Sequence, residues 1–400
     1  MAYRLNPVVA ELRSSAIRDL LALTRSPDIL SLAGGLPAAD LFPTARLAEL
    51  SRTLIDRMPA MALQYGPTEG DERLRAWIAD YESARAAARV DPARVVVTAG
   101  SQQALDLLAR VLAVPGDVVV VEEPAYLGAL QVLRAAGALL EAVPGDADGL
   151  DVDVLAARLE RGLRPAAVYV VTTFQNPTGA VLAPDRRRRL AELADRYGFA
   201  VIEDDPYAEI RFEGGPVPPV RRWSDDSVVT LGSFSKTVAP GLRVGWAVLP
   251  GRLVTPLTRL KQAADLHTGS LGQALIAELV ADAVWWRDHL DQLRATYAAR
   301  AQALAGSLAE AFGDRLRLGR PRGGMFLWGR FTDGTSSAAL LPQALAHGVA
   351  FVPGAEFFVG EPDGAAVRLS FATNQPAALA EAVRRLAVAH AAASAPAITR

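Results

Sequence analysis

The chain has 400 residues, 51% of them hydrophobic and 22% charged, so it is long enough for two or three domains and has the composition of a globular protein. Its 42 Lys and Arg nearly balance its 44 Asp and Glu, and a net charge of −2 gives no basic surface for nucleic acid or an anionic membrane. There is no cysteine, which excludes disulfides, thiolate metal sites and a cysteine nucleophile.

Signals for export or membrane insertion are not found in the sequence. The first residues lack the apolar core of a signal peptide, and no stretch approaches ~18 uninterrupted apolar residues. We therefore expect a soluble, cytoplasmic protein that binds neither membrane nor nucleic acid. The four histidines are scattered along the chain, so we predict no metal site.

The middle of the chain alternates short apolar runs with helix-like stretches, after a predicted N-terminal helix over residues 14–24. Strands are predicted at 95–98, 117–121, 167–172, 199–203 and 228–231, with helices from about Ser101 and over 186–197 among them. The apolar runs are continuous rather than alternating, which is typical of strands buried on both faces of a parallel sheet. The pattern predicts a large, doubly wound, mainly parallel α/β domain over residues 46–287.

The C-terminal part of the chain has a different pattern. A long Ala- and Leu-rich helix is predicted over 285–312, followed by strand-like segments at 315–318, 325–328, 350–352 and 367–371. We predict that residues 288–400, joined by residues 1–45, form a smaller α+β domain.

Polar residues follow the predicted parallel strands, where ligands bind in an open α/β sheet. The segments are Gly100-Ser101-Gln102, Asn176-Pro177-Thr178-Gly179, Asp204-Asp205-Pro206-Tyr207 and Ser233-Phe234-Ser235-Lys236. A partly buried Lys236 would be a nucleophile toward an aldehyde. Ser233, Ser235 and Arg243, with the backbone N–H groups after Gly100, would suit a phosphate.

Two further side chains in these segments suggest an aromatic ring as ligand. Asp204 ends an apolar strand, where a carboxylate needs a cation such as a protonated ring nitrogen. Asn176 and Tyr207 could hydrogen-bond to a ring oxygen, and we predict that the Asn176–Pro177 peptide bond is cis. Ordinary structural roles remain open for each: a surface lysine, a helix cap or salt bridge for Asp204, and a plain loop at Asn176. The run Arg186–Arg189 is predicted to be a solvated helix face.

The ordered set Asn176-Pro-Thr-Gly, Asp204-x-x-Tyr207, Ser233-x-Ser-Lys236 and Arg243-x-Gly resembles the fold type I, aspartate-aminotransferase-like enzymes that use pyridoxal 5′-phosphate (PLP). It is similar in particular to the branch of 2-aminoadipate and kynurenine aminotransferases. Further matching segments are 33–37, 64–66, 323–326, 351–354 and 368–371, so the resemblance runs from about residue 14 to residue 388.

The resemblance implies a PLP-dependent transferase of fold type I that moves an amino group from an L-amino acid to a 2-oxo acid by a ping-pong mechanism. It implies that Lys236 condenses with PLP and later moves the substrate proton, while Asp204 keeps the ring nitrogen protonated. The other implied cofactor contacts are Tyr207 and Asn176 at the phenolic oxygen, Tyr126 on the ring, and Gly100, Ser101, Gln102, Ser233, Ser235 and Arg243 at the phosphate.

The resemblance also implies contacts with the substrate and with a partner subunit. Arg368 would bind the substrate α-carboxylate as a bidentate fork, with Gly35 and Asn176 nearby. Tyr65 would reach the phosphate of a second subunit, which implies a homodimer with shared sites. Arg18 resembles an arginine of the N-terminal helix that, in this branch, binds a carboxylate at the far end of the substrate side chain. An arginine exposed to solvent on that helix is an equally good interpretation. Glu356 would disfavour acidic substrates if it faced the pocket.

Two other functions stay open at this stage. The same cofactor residues would serve an enzyme that performs elimination, replacement or carbon–carbon bond formation on an amino acid. A regulatory effector-binding domain is the third possibility, but no basic helix-turn-helix segment is found in the sequence.

Overall fold

The structure, a computed structural model, describes residues 7–10, 26 and 28–394. Its strands are β1 Leu30–Ser31, β2 Val95–Thr98, β3 Val118–Glu123, β4 Leu139–Asp146, β5 Gly149–Leu150, β6 Ala167–Val171, β7 Ala200–Asp204, β8 Val228–Ser233, β9 Gly245–Val248, β10 Leu316–Leu318, β11 Phe326–Phe331, β12 Val349–Ala350, β13 Val352–Pro353 and β14 Ala366–Ser370. Its helices are α1 Pro7–Ala10, α2 Thr44–Arg57, α3 Pro59–Leu63, α4 Glu72–Ala86, α5 Ser101–Leu112, α6 Leu127–Ala135, α7 Val152–Glu160, α8 Pro184–Tyr197, α9 Gly251–Asp265, α10 Ser270–Ala281, α11 Ala283–Phe312, α12 Ser337–Ala346 and α13 Pro376–Ser394.

The large sheet has eight strands in the order β2-β9-β8-β7-β6-β3-β4-β5. The pairs β8–β7, β7–β6, β6–β3 and β3–β4 are parallel, whereas β9 is antiparallel to both of its neighbours. The mainly parallel α/β sheet predicted from the sequence is therefore confirmed. Val171, Asp204 and Leu231 are in register, so the carboxyl ends of three central strands are level and can share one ligand site.

Burial on both faces explains why the strands are continuously apolar. In β6, Tyr169 and Val171 pack into one hydrophobic cluster while Val168 and Val170 pack into another on the opposite face. Because side chains alternate across a strand, each face of the sheet needs its own apolar set and its own layer of helices.

A second, antiparallel sheet has the order β10-β11-β14-β13 and lies in the C-terminal part of the chain. The short strand β1 pairs in parallel with β12, with Leu30 opposite Val349, and so joins the N-terminal segment to this part. The predicted long helix is confirmed as α11, which has 30 residues. The proposed domain boundaries stay a prediction, and the predicted helix over 14–24 lies outside the described residues.

Neither α11 nor any other described helix combines the length and apolar character that crossing a bilayer requires. The cytoplasmic location predicted above has no direct structural counterpart and stays a prediction.

The prediction of a solvated face for Arg186–Arg189 is wrong at Arg187. Helical periodicity places Arg187 on the inner side of α8, where it is fully buried. Its Nη2 donates to Thr172 O at 2.6 Å, its Nε donates to Leu182 O at 2.8 Å, and its Nη1 lies 3.5 Å from Glu203 Oε1. Arg187 thus ties together the two ends of the loop that contains Asn176.

Candidate active site

A cavity of about 450 Å³ opens at the level carboxyl ends of the parallel strands, within the size range of small-molecule sites. It brings together predicted residues that are up to 333 positions apart in the chain, from Gly35 to Arg368. The predicted residues in its lining are Gly35, Gly100, Ser101, Gln102, Tyr126, Asn176, Asp204, Tyr207, Ser233, Ser235, Lys236, Arg243 and Arg368. We call this space the central cavity.

Lys236 lies in the turn that follows β8 and lines the central cavity. Nζ donates a hydrogen bond to Gly35 O at 3.0 Å. Burial, and then the nearby cations Arg368 and Arg243, lower the pKa of Lys236 to about 8, although the Asp204 carboxylate opposes this. An amine in this range is partly neutral near physiological pH, so it can act as a nucleophile and as a base.

Asp204 is the last residue of β7 and is almost completely buried, at 4% exposure. Its Oδ2 accepts a hydrogen bond from Tyr169 Oη at 2.8 Å, whereas its Oδ1 has no partner. Burial raises the pKa of Asp204 to about 7, with a smaller contribution from Asp205. A buried carboxylate oxygen without a donor is costly, so this atom calls for a ligand that brings a positive N–H group.

One side of the central cavity forms what we call the anion cradle, made of Gly100, Ser101, Ser233, Ser235 and Arg243. Ser101 begins the 12-residue helix α5, whose first N–H groups have no intrahelical partner. Gly100 has a φ of +84°, and a Cβ there would lie 2.7 Å from Arg243 Nη2. A glycine is therefore required for the guanidinium to lie beside the helix start, where it donates to Ala99 O at 2.8 Å.

The two serines of the anion cradle are already arranged by each other. Ser233 Oγ and Ser235 Oγ are 2.9 Å apart, and Ser235 N donates to Ser233 Oγ at 3.1 Å. Two hydroxyls, a guanidinium and a helix N-terminus at one place provide the donors that a phosphate dianion needs.

Tyr126 provides an aromatic wall of the central cavity, just before α6. A Cβ on Gly128 would lie 2.5 Å from the Tyr126 hydroxyl, so the ring rests directly on this glycine. Gln102 Nε2 donates to Gly128 O at 3.2 Å, which occupies its side-chain amide with a protein partner. The contribution of Gln102 to an anion would then come from its backbone N–H at the helix start.

Arg368 on β14 is a buried cation at the other side of the central cavity. Nη1 donates to Asn176 Oδ1 at 2.8 Å and Nη2 donates to Ala33 O at 2.7 Å, whereas Nε has no partner. The guanidinium carbon lies 4.2 Å from the ring centre of Phe326. Burial lowers its pKa to about 10, so it remains charged at neutral pH. No carboxylate of the described residues pairs with Arg368, so its charge is available to an anionic ligand.

Tyr207 is a second buried phenol that, like Asn176, lines the central cavity. Burial is the main reason why its pKa is raised above the usual value. Tyr207 therefore keeps its proton and is available as a donor. The Asn176–Pro177 bond beside it is cis, as predicted.

Two described residues singled out from the sequence, Tyr65 and Glu356, do not line the central cavity. Tyr65 is 77% exposed and has an edge contact with the His267 ring, 5.7 Å between centroids. Glu356 is exposed and absent from the lining, so its suggested effect on acidic substrates has no support. Arg18 lies outside the described residues.

Tyr169, which donates to Asp204 from behind the central cavity, was not predicted from the sequence. Its signal was a single hydroxyl in an otherwise aliphatic buried strand, where a polar group needs a partner. Phe326 lies in one of the matching segments, but its contact with Arg368 was not predicted. A ring that stacks on a guanidinium from a different part of the chain cannot be predicted from local sequence.

The family model of the class I and II aminotransferases matches residues 27–386. A 2-aminoadipate transaminase from Thermus thermophilus is 40% identical over 379 residues, covering 94% of this chain and 93% of the relative. Aromatic-amino-acid aminotransferase 1 from Thermococcus litoralis is 37% identical and covers 94% of this chain and 91% of the relative.

Among solved structures, the α-aminoadipate aminotransferase of Thermus thermophilus superposes with a TM-score of 0.90. It is 38% identical, and the match covers 97% of each chain. That crystal structure holds N-(5′-phosphopyridoxyl)-L-leucine, an adduct of the cofactor and an amino acid.

Proposed function

The chain belongs to the class I and II aminotransferases, and from this we propose that its central cavity is the active site, with Lys236 as the residue that binds PLP covalently. The protein is a PLP-dependent aminotransferase of fold type I, which transfers an amino group from an amino acid to a 2-oxo acid. The observation that carries the site assignment is that a nucleophilic amine and an unpartnered buried carboxylate oxygen, Asp204 Oδ1, line one cavity.

The donors of the central cavity fit the cofactor. Asp204 Oδ1 would accept from the protonated ring nitrogen, which supplies the cation that this atom lacks. Tyr207 and Asn176 would contact the phenolic oxygen, Tyr126 would cover one face of the ring, and the anion cradle with the Gln102 backbone would bind the phosphate. When bound, PLP supplies an electron sink for the charge left on the substrate carbon and carries the amino group.

Lys236 would act on the proton of the amino acid. Because its pKa is lowered to about 8, Nζ can take up and release a proton near neutral pH. Gly35 O accepts from Nζ and would orient the amine. The α-proton of the substrate is the proton that Nζ would remove.

Arg368 would hold the substrate by its α-carboxylate. Two of its five N–H donors are used by Asn176 and Ala33, which fixes the plane of the guanidinium and leaves the remaining donors for a ligand. Because this cation is buried, a carboxylate bound to it would form charge-assisted hydrogen bonds that water does not screen.

The proposed substrates are amino acids of broad or 2-aminoadipate-like type, with 2-oxo acids as acceptors. The support is the range of the relatives, one named for 2-aminoadipate and one for aromatic amino acids. The cations of the described lining are Lys236, Arg243 and Arg368, all with proposed partners. A second, distal carboxylate would thus depend on a group outside them, for which Arg18 is the candidate.

We also propose that the active enzyme is a homodimer with shared sites. Tyr65 is 77% exposed, Leu63 close to it in sequence is 64% exposed, and Leu266, next to the His267 that the Tyr65 ring contacts, is 52% exposed. Large apolar side chains exposed together are typical of an interface. The second copy would cover them and place Tyr65 at the partner's phosphate.

The chain's lysine content provides a direct test. Lys236 and Lys261 are its two lysines. Lys261 is buried and paired with Asp265 at 2.9 Å, away from the central cavity lining. We expect borohydride reduction of the PLP-loaded protein, followed by peptide mapping, to mark Lys236 and not Lys261. A Lys236→Ala variant should lose activity by several orders of magnitude, while Lys261→Met should keep the adduct. An adduct on Lys261, or full turnover by Lys236→Ala, would overturn the assignment.

The reaction is tested with the wild-type protein and amino acids in the absence of an acceptor. Transamination converts the cofactor to pyridoxamine phosphate with one equivalent of 2-oxo acid, and 2-oxoglutarate or pyruvate then reverses the absorbance change. A panel of acidic, aromatic and aliphatic amino acids measures breadth. Release of ammonia with retention of PLP absorbance would contradict the proposed reaction.

A further inference from the structure

Tyr169 is a buried residue of the central strand β6 that does not line the central cavity but contacts a residue that does. Its hydroxyl donates to Asp204 Oδ2 at 2.8 Å. In the parallel pair β6–β7 the residue opposite Asp204 is Val171, and Tyr169 is two positions before it on the same face. The phenol therefore reaches the carboxylate from within the sheet.

The direction of this hydrogen bond is set by burial. The pKa of Tyr169 is raised well above its usual value, first by burial and then by the negative charge of Asp204. Tyr169 thus remains a neutral donor at any working pH, and Oδ2 is its acceptor. The donor occupies one carboxylate oxygen, which leaves Oδ1 as the unpartnered atom.

We propose that Tyr169 is a positioning residue for the cofactor's ring nitrogen: by binding Oδ2, it orients the Asp204 carboxylate so that Oδ1 meets the ring nitrogen, and it stabilises the ionised form that keeps this nitrogen protonated. The inference rests on the proposed function of the central cavity. A carboxylate held by one oxygen cannot rotate freely, and a neutral donor stabilises its charge without competing for the ligand's proton.

The charges around Asp204 make such a donor necessary. Burial opposes ionisation of Asp204, and the adjacent Asp205 opposes it further. Asp205 is itself paired with Arg85, which also contacts Glu82. Asp204 interacts electrostatically with six titratable groups, which are Asp205, Lys236, Tyr169, Tyr126, Tyr207 and Glu122. Of these, Tyr169 and Lys236 favour the ionised carboxylate, and Lys236 is the group that the reaction uses.

The test compares Tyr169→Phe with a matched variant, Tyr297→Phe. Tyr297 is also fully buried, and its hydroxyl accepts from Ala38 N at 3.0 Å, so the control loses one buried hydroxyl away from Asp204. The protein is loaded with PLP carrying ¹⁵N in its ring. The readouts are the ¹⁵N resonance, which reports protonation of the ring nitrogen, and the dissociation constant of PLP.

We expect Tyr169→Phe to shift the ¹⁵N resonance toward that of an unprotonated pyridine and to weaken PLP binding on the order of tenfold, the loss of one hydrogen bond to a charged group. Tyr297→Phe should leave both readouts at the wild-type values. Unchanged resonance and affinity in Tyr169→Phe would overturn the proposal, as would an equal shift in both variants.

A second substitution covers the case in which Tyr169→Phe does not fold. 3-Fluorotyrosine at position 169 keeps the shape and is a stronger donor, so the proton shared by Asp204 and the ring nitrogen should lie further toward the nitrogen, and the ¹⁵N resonance should move further toward that of a protonated pyridine. An unchanged resonance, or a move toward the unprotonated pyridine, would overturn the proposal. If the wild-type protein forms no borohydride-stable adduct at Lys236, the proposed function fails instead.

Discussion

Arg368→Met removes the buried cation that we assign to the substrate α-carboxylate. Methionine fills much of the same volume, but it leaves Asn176 Oδ1 and Ala33 O without their donors at 2.8 and 2.7 Å. Each lost partner costs about 1–3 kcal/mol of folding free energy, so the variant is expected to be less stable but folded. Thermal unfolding checks this before any kinetic comparison.

The kinetic magnitude follows from the donors that Arg368 has free. Hydrogen bonds to a charged group contribute about 1.5–3 kcal/mol each, and a carboxylate can accept two from a guanidinium. Loss of about 3–6 kcal/mol corresponds to a fall in kcat/KM of roughly 10²- to 10⁴-fold. Arg368→Lys should fall between the wild type and Arg368→Met, since it keeps the charge but not the fork.

The assay is steady-state transamination of one amino acid, paired with the amine that has the same side chain and no carboxylate. Arg330→Met is the control, because Arg330 lies in the neighbouring strand β11 but is exposed and paired with Asp363. The kcat/KM for the amino acid should fall in Arg368→Met relative to the wild type. The kcat/KM for the amine should be low and equal in the wild type and in Arg368→Met. An equal loss for amine and amino acid would refute the carboxylate assignment.

Three further predictions follow from the charges and contacts described above. The rate at which the PLP-free protein condenses with PLP, measured by stopped-flow absorbance, should rise about tenfold per pH unit and level off near pH 8, because the neutral amine of Lys236 reacts and its pKa is lowered from 10.5 to about 8. A rate that still rises past pH 10 would contradict this. Gly100→Ala should weaken PLP binding about tenfold, since the added Cβ would lie 2.7 Å from a guanidinium nitrogen of Arg243 in the anion cradle. Gly162→Ala is the control and should leave PLP affinity unchanged, because Gly162 also has a positive φ but has open space around it. In urea titration, Arg187→Met should lower the free energy of unfolding by about 3–5 kcal/mol, because it leaves the buried Glu203 without its cation. Arg188→Met, on the exposed side of the same helix, should lower it by less than about 0.5 kcal/mol, and equal effects of the two variants would refute the buried ion pair.

Local sequence predicted five of the eight strands of the large sheet, β2, β3, β6, β7 and β8, but not the others. The prediction missed β9, a four-residue strand that begins with Gly245 and runs antiparallel to its neighbours. It also missed β4, which contains Pro144 and Gly145 and has exposed residues at its end. Strand direction and edge position depend on the chain's path, so a short apolar run cannot reveal them.

The four arginines of 186–189 show the same limit at the level of side chains. Their composition is that of a solvated face, and Arg188 and Arg189 are indeed exposed. Arg187 is buried because the helix packs on a sheet whose loop carbonyls and Glu203 need a donor. The requirement comes from residues that are distant in the chain, which a local pattern does not include.

The order of residue types along the chain was enough to indicate the family and the cofactor, and to select most of the residues that we propose to bind it, because the proposed amine, acid and phosphate donors follow strands of one sheet. Tertiary structure decided the states of those groups: which oxygen of Asp204 is free, that Lys236 has a lowered pKa, and that Arg368 is held by Asn176. Protonation and orientation depend on burial and on partners from distant segments, and these exist only once the chain has folded.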